Sequence, residues 1–126
     1  MAHQSRNGGD IPGLCAGADL QDKQFYLGVI DTNGDVVLAS TAGAPISGVI
    51  TNKPNTGQSV TFYGPNSIMK VVAGGNIPVA SQVTVDANGK AAVATAGDYV
   101  FGTCLEAAAA ADELCSVHFH GGFIKA

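Results

Sequence analysis

The sequence has no tryptophan, one arginine and no long apolar run, and each scarcity closes off a class of function. Arg6 stands beside five dispersed lysines in a chain of formal net charge −4, so no basic stripe exists to neutralise phosphates and nucleic acid is not an expected partner. No apolar stretch approaches the roughly 18 residues that span a bilayer, and Met1–Asp10 is polar, without the apolar core of a signal peptide. The chain is therefore expected in the cytosol, with no membrane partner. Cys15, Cys104 and Cys115 form an odd set without the CxxC spacing, which argues against a secreted disulfide framework and for reduced thiols. Neither the P-loop nor the dinucleotide-binding glycine pattern occurs, so the glycines read as turn residues.

What is present points to strands. At 126 residues the chain suits one domain large enough to fold without metal or disulfide staples. Its 46% hydrophobic content is built from small and β-branched residues, with 19 Ala, 13 Val and 7 Ile against 6 Leu. The 17 Gly and 5 Pro cut the apolar stretches into lengths that suit strands and are too short for most helices. The fold class is all-β.

The chain also repeats itself. Asp31-Thr32-Asn33-Gly34-Asp35-Val36-Val37-Leu38-Ala39 recurs as Asp86-Ala87-Asn88-Gly89-Lys90-Ala91-Ala92-Val93-Ala94, with four of nine positions identical. Thr41–Gly48 recurs as Thr95–Gly102, and Ser59–Gly64 as Ser116–Gly121, at offsets of 54 and 57 residues. Three collinear blocks imply a duplicated β unit covering about residues 25–64 and 79–121, packed as one small sandwich or barrel over 25–126. Asn-Gly between apolar strands predicts a hairpin turn with positive φ at both central residues. Ser67–Val72 reads as a strand between the halves, and Ala107–Ala111 as a loop with one helical turn. Residues 1–24, glycine-rich and poor in β-branched residues, read as an extended or partly disordered N-terminal arm.

No chemistry stands out. Asp31-x-Asn33-Gly34-Asp35 could suggest a calcium loop, but position 12 of that frame is Ala42 where an EF-hand needs glutamate, so it reads as a turn. His118 and His120 alternate with Phe119 on an expected strand, so their imidazoles share a face. Cys104 or Cys115 would have to complete a metal set, and no spacing fixes that. A Cys-His-carboxylate triad lacks the glycine elbow that would support it, and the cysteines read as small core hydrophobes. Lys70, between Ile68-Met69 and Val71, has the apolar flanks of a lipoyl or biotinyl carrier lysine but sits in mid-strand and not at a hairpin tip.

The stretch Gly102-Thr103-Cys104-Leu105-Glu106, the alanine run 107–111, and Asp112-Glu113-Leu114-Cys115-Ser116-Val117 resembles the closing segment of tailed-bacteriophage capsid cement or decoration proteins. Ala73-Gly74-Gly75-Asn76-Ile77-Pro78-Val79-Ala80-Ser81-Gln82-Val83 resembles the same family's progression before its Asp-Asn-Gly hairpin. The resemblance covers about residues 25–121 and implies a β domain, with no catalytic residues and no cofactor, that binds the assembled lattice of the major capsid protein from outside. It further implies a homo-oligomer, expected as a trimer, made in the host cytoplasm and carried on the outer capsid surface of the virion. Ile11, Leu14 and Leu20 of the arm, together with His118, His120 and Phe123, are the expected capsid or subunit contacts. A head-fibre or receptor-binding module of the virion and a carrier domain are the competing readings.

Overall fold

The computed structural model describes residues 11–126, and among these it contains nine strands and no helix. They are β1 (Leu27–Ile30), β2 (Val36–Leu38), β3 (Gly48–Ile50), β4 (Phe62–Tyr63), β5 (Ser67–Val72), β6 (Gln82–Val85), β7 (Ala91–Val93), β8 (Tyr99–Glu106) and β9 (Leu114–Ile124). They form two antiparallel sheets, of order β2-β1-β3-β4 and β5-β9-β8-β6-β7, packed as a small sandwich.

The duplication is visible in the ladders. Gly28 faces Leu38 in the first sheet, and Val83 faces Val93 in the second; Leu27 faces Val49, and Gln82 faces Thr103. Each half thus makes a hairpin, lays a third strand beside its first, and adds a fourth. The hairpin tips are held alike. Asp31 Oδ1 accepts the Asn33 and Asp35 amides at 2.9 and 3.0 Å, and Asp86 Oδ1 accepts those of Asn88 and Lys90 at 2.8 and 2.9 Å. Gly34 and Gly89 have φ of 80° and 76°, while neither asparagine has positive φ. The turn is therefore not the doubly left-handed one the sequence suggested; it is a three-residue loop closed by a left-handed glycine. Even the rare left-handed non-glycine residues recur, with Phe25 and Ala80 both at φ 67° and each donating its amide to the matched carbonyls of Ile50 and Cys104.

The repeat reaches further toward the N-terminus than its sequence blocks. Cys15 pairs with Ser59 as Val72 pairs with Leu114, and Ala16 bridges Val36 in parallel as Ala73 bridges Ala91. Each sheet is thus joined across its two outer strands and curls around its own core. The first core holds Leu14, Ala16, Leu20, Val36, Ile50, Val60 and Phe62. Their counterparts Val71, Ala73, Ile77, Ala91, Cys104, Cys115 and Val117 all lie in the second core.

Two expectations are corrected here. Segment 11–24 is not an arm ahead of the domain: Leu14, Ala16 and Leu20 are at most 5% exposed and complete the first core, because that sheet would otherwise leave Val36 and Phe62 open. Residues 1–10 of the expected arm lie outside the described residues. The alanine run makes no helical turn; Ala108 is drawn into an isolated bridge with Ile77, matching the amide of Leu20 on the carbonyl of Pro54 in the first half. The third sequence block also slips. The ladder pairs Phe62 with Ile50 and Val117 with Cys104, so the structural match of Phe62 is Val117 and not Phe119, a shift of two that keeps each side chain on its face.

A Cβ at Gly34 would meet nothing within 4 Å, whereas one at Gly89 would meet Leu38 and the Ala39 carbonyl. Both glycines are left-handed, so Gly34→Ala should cost about 1 kcal/mol from backbone strain alone. Gly89→Ala should cost a further ~1–3 kcal/mol from overpacking. Chemical denaturation of the two variants checks this, with equal losses contradicting the buried second tip.

Candidate contact face

Strand alternation sends Cys104, Cys115, Val117 and Phe119 into the core and Ile68, Lys70, Ser116 and His118 outward. Ile68, His118, Thr103 and Gln82 stand in register as one row across β5, β9, β8 and β6. Beside it, Lys70 faces Ser116, whose hydroxyl donates to Glu106 Oε1 at 3.0 Å. A bulge opposite Phe101 carries His120, Gly121 and Gly122, after which Phe123 and Ile124 rejoin β8 opposite Val100 and Tyr99.

That bulge builds the most ordered part of the face. His120 is within 3.1 Å of the Thr103 hydroxyl through Nε2 and 3.0 Å of the Gly121 carbonyl through Nδ1. Its ring stacks on Phe123 at 6.2 Å and 12° and meets His118 edge-on at 6.0 Å. Ile68 is 64% exposed, Ile124 62% and Phe123 42%. The result is an imidazole-aromatic cluster beside the bare Ile68 side chain on the outside of the second sheet.

Of the six residues expected from the sequence to make contacts, His118, His120 and Phe123 are brought together here. Ile11 is half-buried against the first core, and Leu14 and Leu20 are inside it, so these last two are corrected from contact residues to core residues. Ile68 and Leu114, which sequence reasoning left out, share the exposed surface. The two halves give the signal that could have found them, because Leu114 and Leu105 stand where the first half has Ser59 and Thr51. Seven of the eight large exposed apolar side chains lie between Ile68 and Ile124, which assigns the open apolar surface to the second half.

Cys104 and Cys115 sit on the opposite side of the second sheet from His118 and His120, which separates the groups a mixed metal set would need. Among the described residues no three His, Cys, Asp or Glu side chains are placed to share a metal ion, and no pocket is present. Cys104 and Cys115 occupy the positions of Ile50 and Val60, and their thiols donate to the carbonyls of Glu106 and Val71 at 3.2 and 3.4 Å. Burial pushes the Cys115 thiol up to about 11, with the nearby Cys104 adding to the shift. Lys70 lies in the middle of β5 and not at a hairpin tip.

No protein-family model and no curated protein matches the chain. Among solved structures, it is similar to the N base of the head fibre protein gp8.5 of bacteriophage phi29, with a TM-score of 0.68 over 84% of this chain and 89% of that one. The identity is 18%, so the likeness establishes a shared fold.

Since only thiolates react, the native protein at neutral pH should take up a maleimide at the half-exposed Cys15 and leave Cys104 and Cys115 unmodified. All three should react in denaturant, as read by intact mass. The raised thiol binds its proton more tightly when folded, so its contribution to stability is complete below about pH 9 and lost toward about pH 11. Rapid labelling of two or three thiols in the folded protein would contradict this packing.

Proposed function

We propose that this chain is a non-enzymatic structural protein of a tailed-phage virion, seated on the outside of the head through the outer face of its second sheet. The observation that carries the reading is the fold shared with a phage head fibre base across most of both chains. Two features of the chain agree with it. The cement-like segment at Gly102–Val117 includes the second part of β8 and the first part of β9, strands that carry the exposed face. The face itself is a mixture of aliphatic, aromatic and imidazole side chains with Lys70, Glu106 and Lys125 as charges, the composition of a surface for protein.

In this reading the partner is the major capsid protein, and the chain works as a homotrimer, made in the host cytoplasm and added to the finished shell. Three copies around a lattice axis turn modest contacts into avidity, so no single contact has to be strong. Bracing neighbouring capsomers then raises the particle's resistance to heat.

A second reading, the base of a head-attached fibre, is favoured by the same neighbour. The two differ in what they do to the shell. Mixed with expanded heads of the phage that carries its gene, a cement protein co-sediments at many copies per head and raises the temperature of genome release. A fibre base binds at few positions and leaves that temperature unchanged.

Phe123→Glu and Ile68→Glu should each lower head binding at least about tenfold, by placing a charge in the contact. As exposed side chains they should change the stability of the free protein by no more than about 0.5 kcal/mol. Undiminished binding by the folded double variant would remove this face from the proposal, and no binding by the wild type would remove the capsid.

A further inference from the structure

The junction between the two halves is one-sided. Leu27, Ala39 and Val49 of the first half belong to the second half's core, and Val29, Ile46 and Tyr63 pack against it. No residue beyond Val60 and Phe62 enters the core of the first half. The outer face of the first sheet is therefore spent on the second half. Its ladder counterpart on the second sheet, where Gln82, Thr103 and His118 match Leu27, Val49 and Tyr63, is the contact face described above.

The receiving surface is also used once. The second hairpin tip is covered, since Leu27 donates its amide to the Gly89 carbonyl at 2.8 Å and Val85 is 1% exposed. The first hairpin tip is bare, with open space around Gly34 and Ile30, the counterpart of Val85, 42% exposed. Two equivalent units joined through different surfaces keep one donor and one acceptor surface free, and such a contact propagates head to tail unless something stops it. Repeat proteins stop it with a terminal unit whose outer face is polar.

We propose that Gln82, Thr103 and the segment Phe123–Lys125 form a cap that keeps a second copy of this chain from docking its bare first hairpin onto the outer face of the second sheet. Three observations support it. The apolar Leu27 and Val49 of the used face are replaced by Gln82 and Thr103 on the free one, and these are tied down by Lys125 Nζ at 2.5 Å and by His120 at 3.1 Å. Gly43 sends its amide across the junction to Val85, whereas its counterpart Gly97 sends its amide to Lys125, so Lys125 supplies the acceptor that a further unit would bring. Gly97 and Lys125 are joined at 2.9 Å, the same length as Gly43 and Val85. The partner this surface fits, once uncapped, is the Ile30–Gly34 end of another copy.

The inference is independent of the capsid reading, because its test contains no capsid. Sedimentation equilibrium over a wide dilution series compares wild type with the full-length Q82L/T103V variant, which restores the first-half residues, and with a chain ending at Gly122. The expected result is a mass curve for Q82L/T103V that climbs to at least about twice the wild-type value at high concentration, with the shortened chain behaving alike if folded. Adding Ile30→Lys to either variant should return it to the wild-type curve. Folded Q82L/T103V that follows the wild-type curve overturns the cap. Growth that persists with Ile30→Lys overturns the head-to-tail geometry.

Discussion

Burial of Leu27, Ala39 and Val49 against the second core is the contact on which the molecule's asymmetry depends. Without it the chain would be two similar curled sheets, the first with a core of only seven buried residues, too small to be self-sufficient. Docking one sheet's outer face onto the other half merges that face into a larger core. It also decides which surfaces are left over, because the two halves are built alike and only one outer face can be consumed. The exposed face of β5, β8 and β9 is the remainder of that packing.

Elongation turns the remainder into a platform. In the first half the third and fourth strands are β3 and β4, of three and two residues; in the second they are β8 and β9, of eight and eleven. The added length carries the bulge at His120–Gly122 and the returning Phe123 and Ile124, two of the exposed large apolar side chains. Local ordering of His120 by Thr103, Gly121 and Phe123 means that the cluster is set before any partner arrives, which lowers the entropic cost of association.

Much of this was legible in the sequence, and the rest was hidden for identifiable reasons. The two Asn-Gly tips were legible because the turn needs a left-handed residue and glycine provides it at lowest cost. The shared face of His118 and His120 followed from the two-residue period of a strand. Leu14, Ala16 and Leu20 were misread as an arm because isolated bridges, unlike strands, leave no periodic run to detect. Phe62 and Phe119 matched in sequence but not in space, since a slip of two residues preserves the alternation on which the alignment rested. No sequence signal announced which half would dock on which, as Leu27 and Gln82 acquire their meaning only when the ladders place them in equivalent positions.

Cryo-microscopy of heads carrying this protein tests the central claim most directly, because it reports which surface of the fold meets the shell. Density is expected at lattice symmetry axes, with Ile68, His118 and Phe123 turned toward the capsid and the Asn33-Gly34 hairpin away from that contact. Decorated heads in which the outer face of the second sheet points to solvent, or heads that carry no such density, would contradict it.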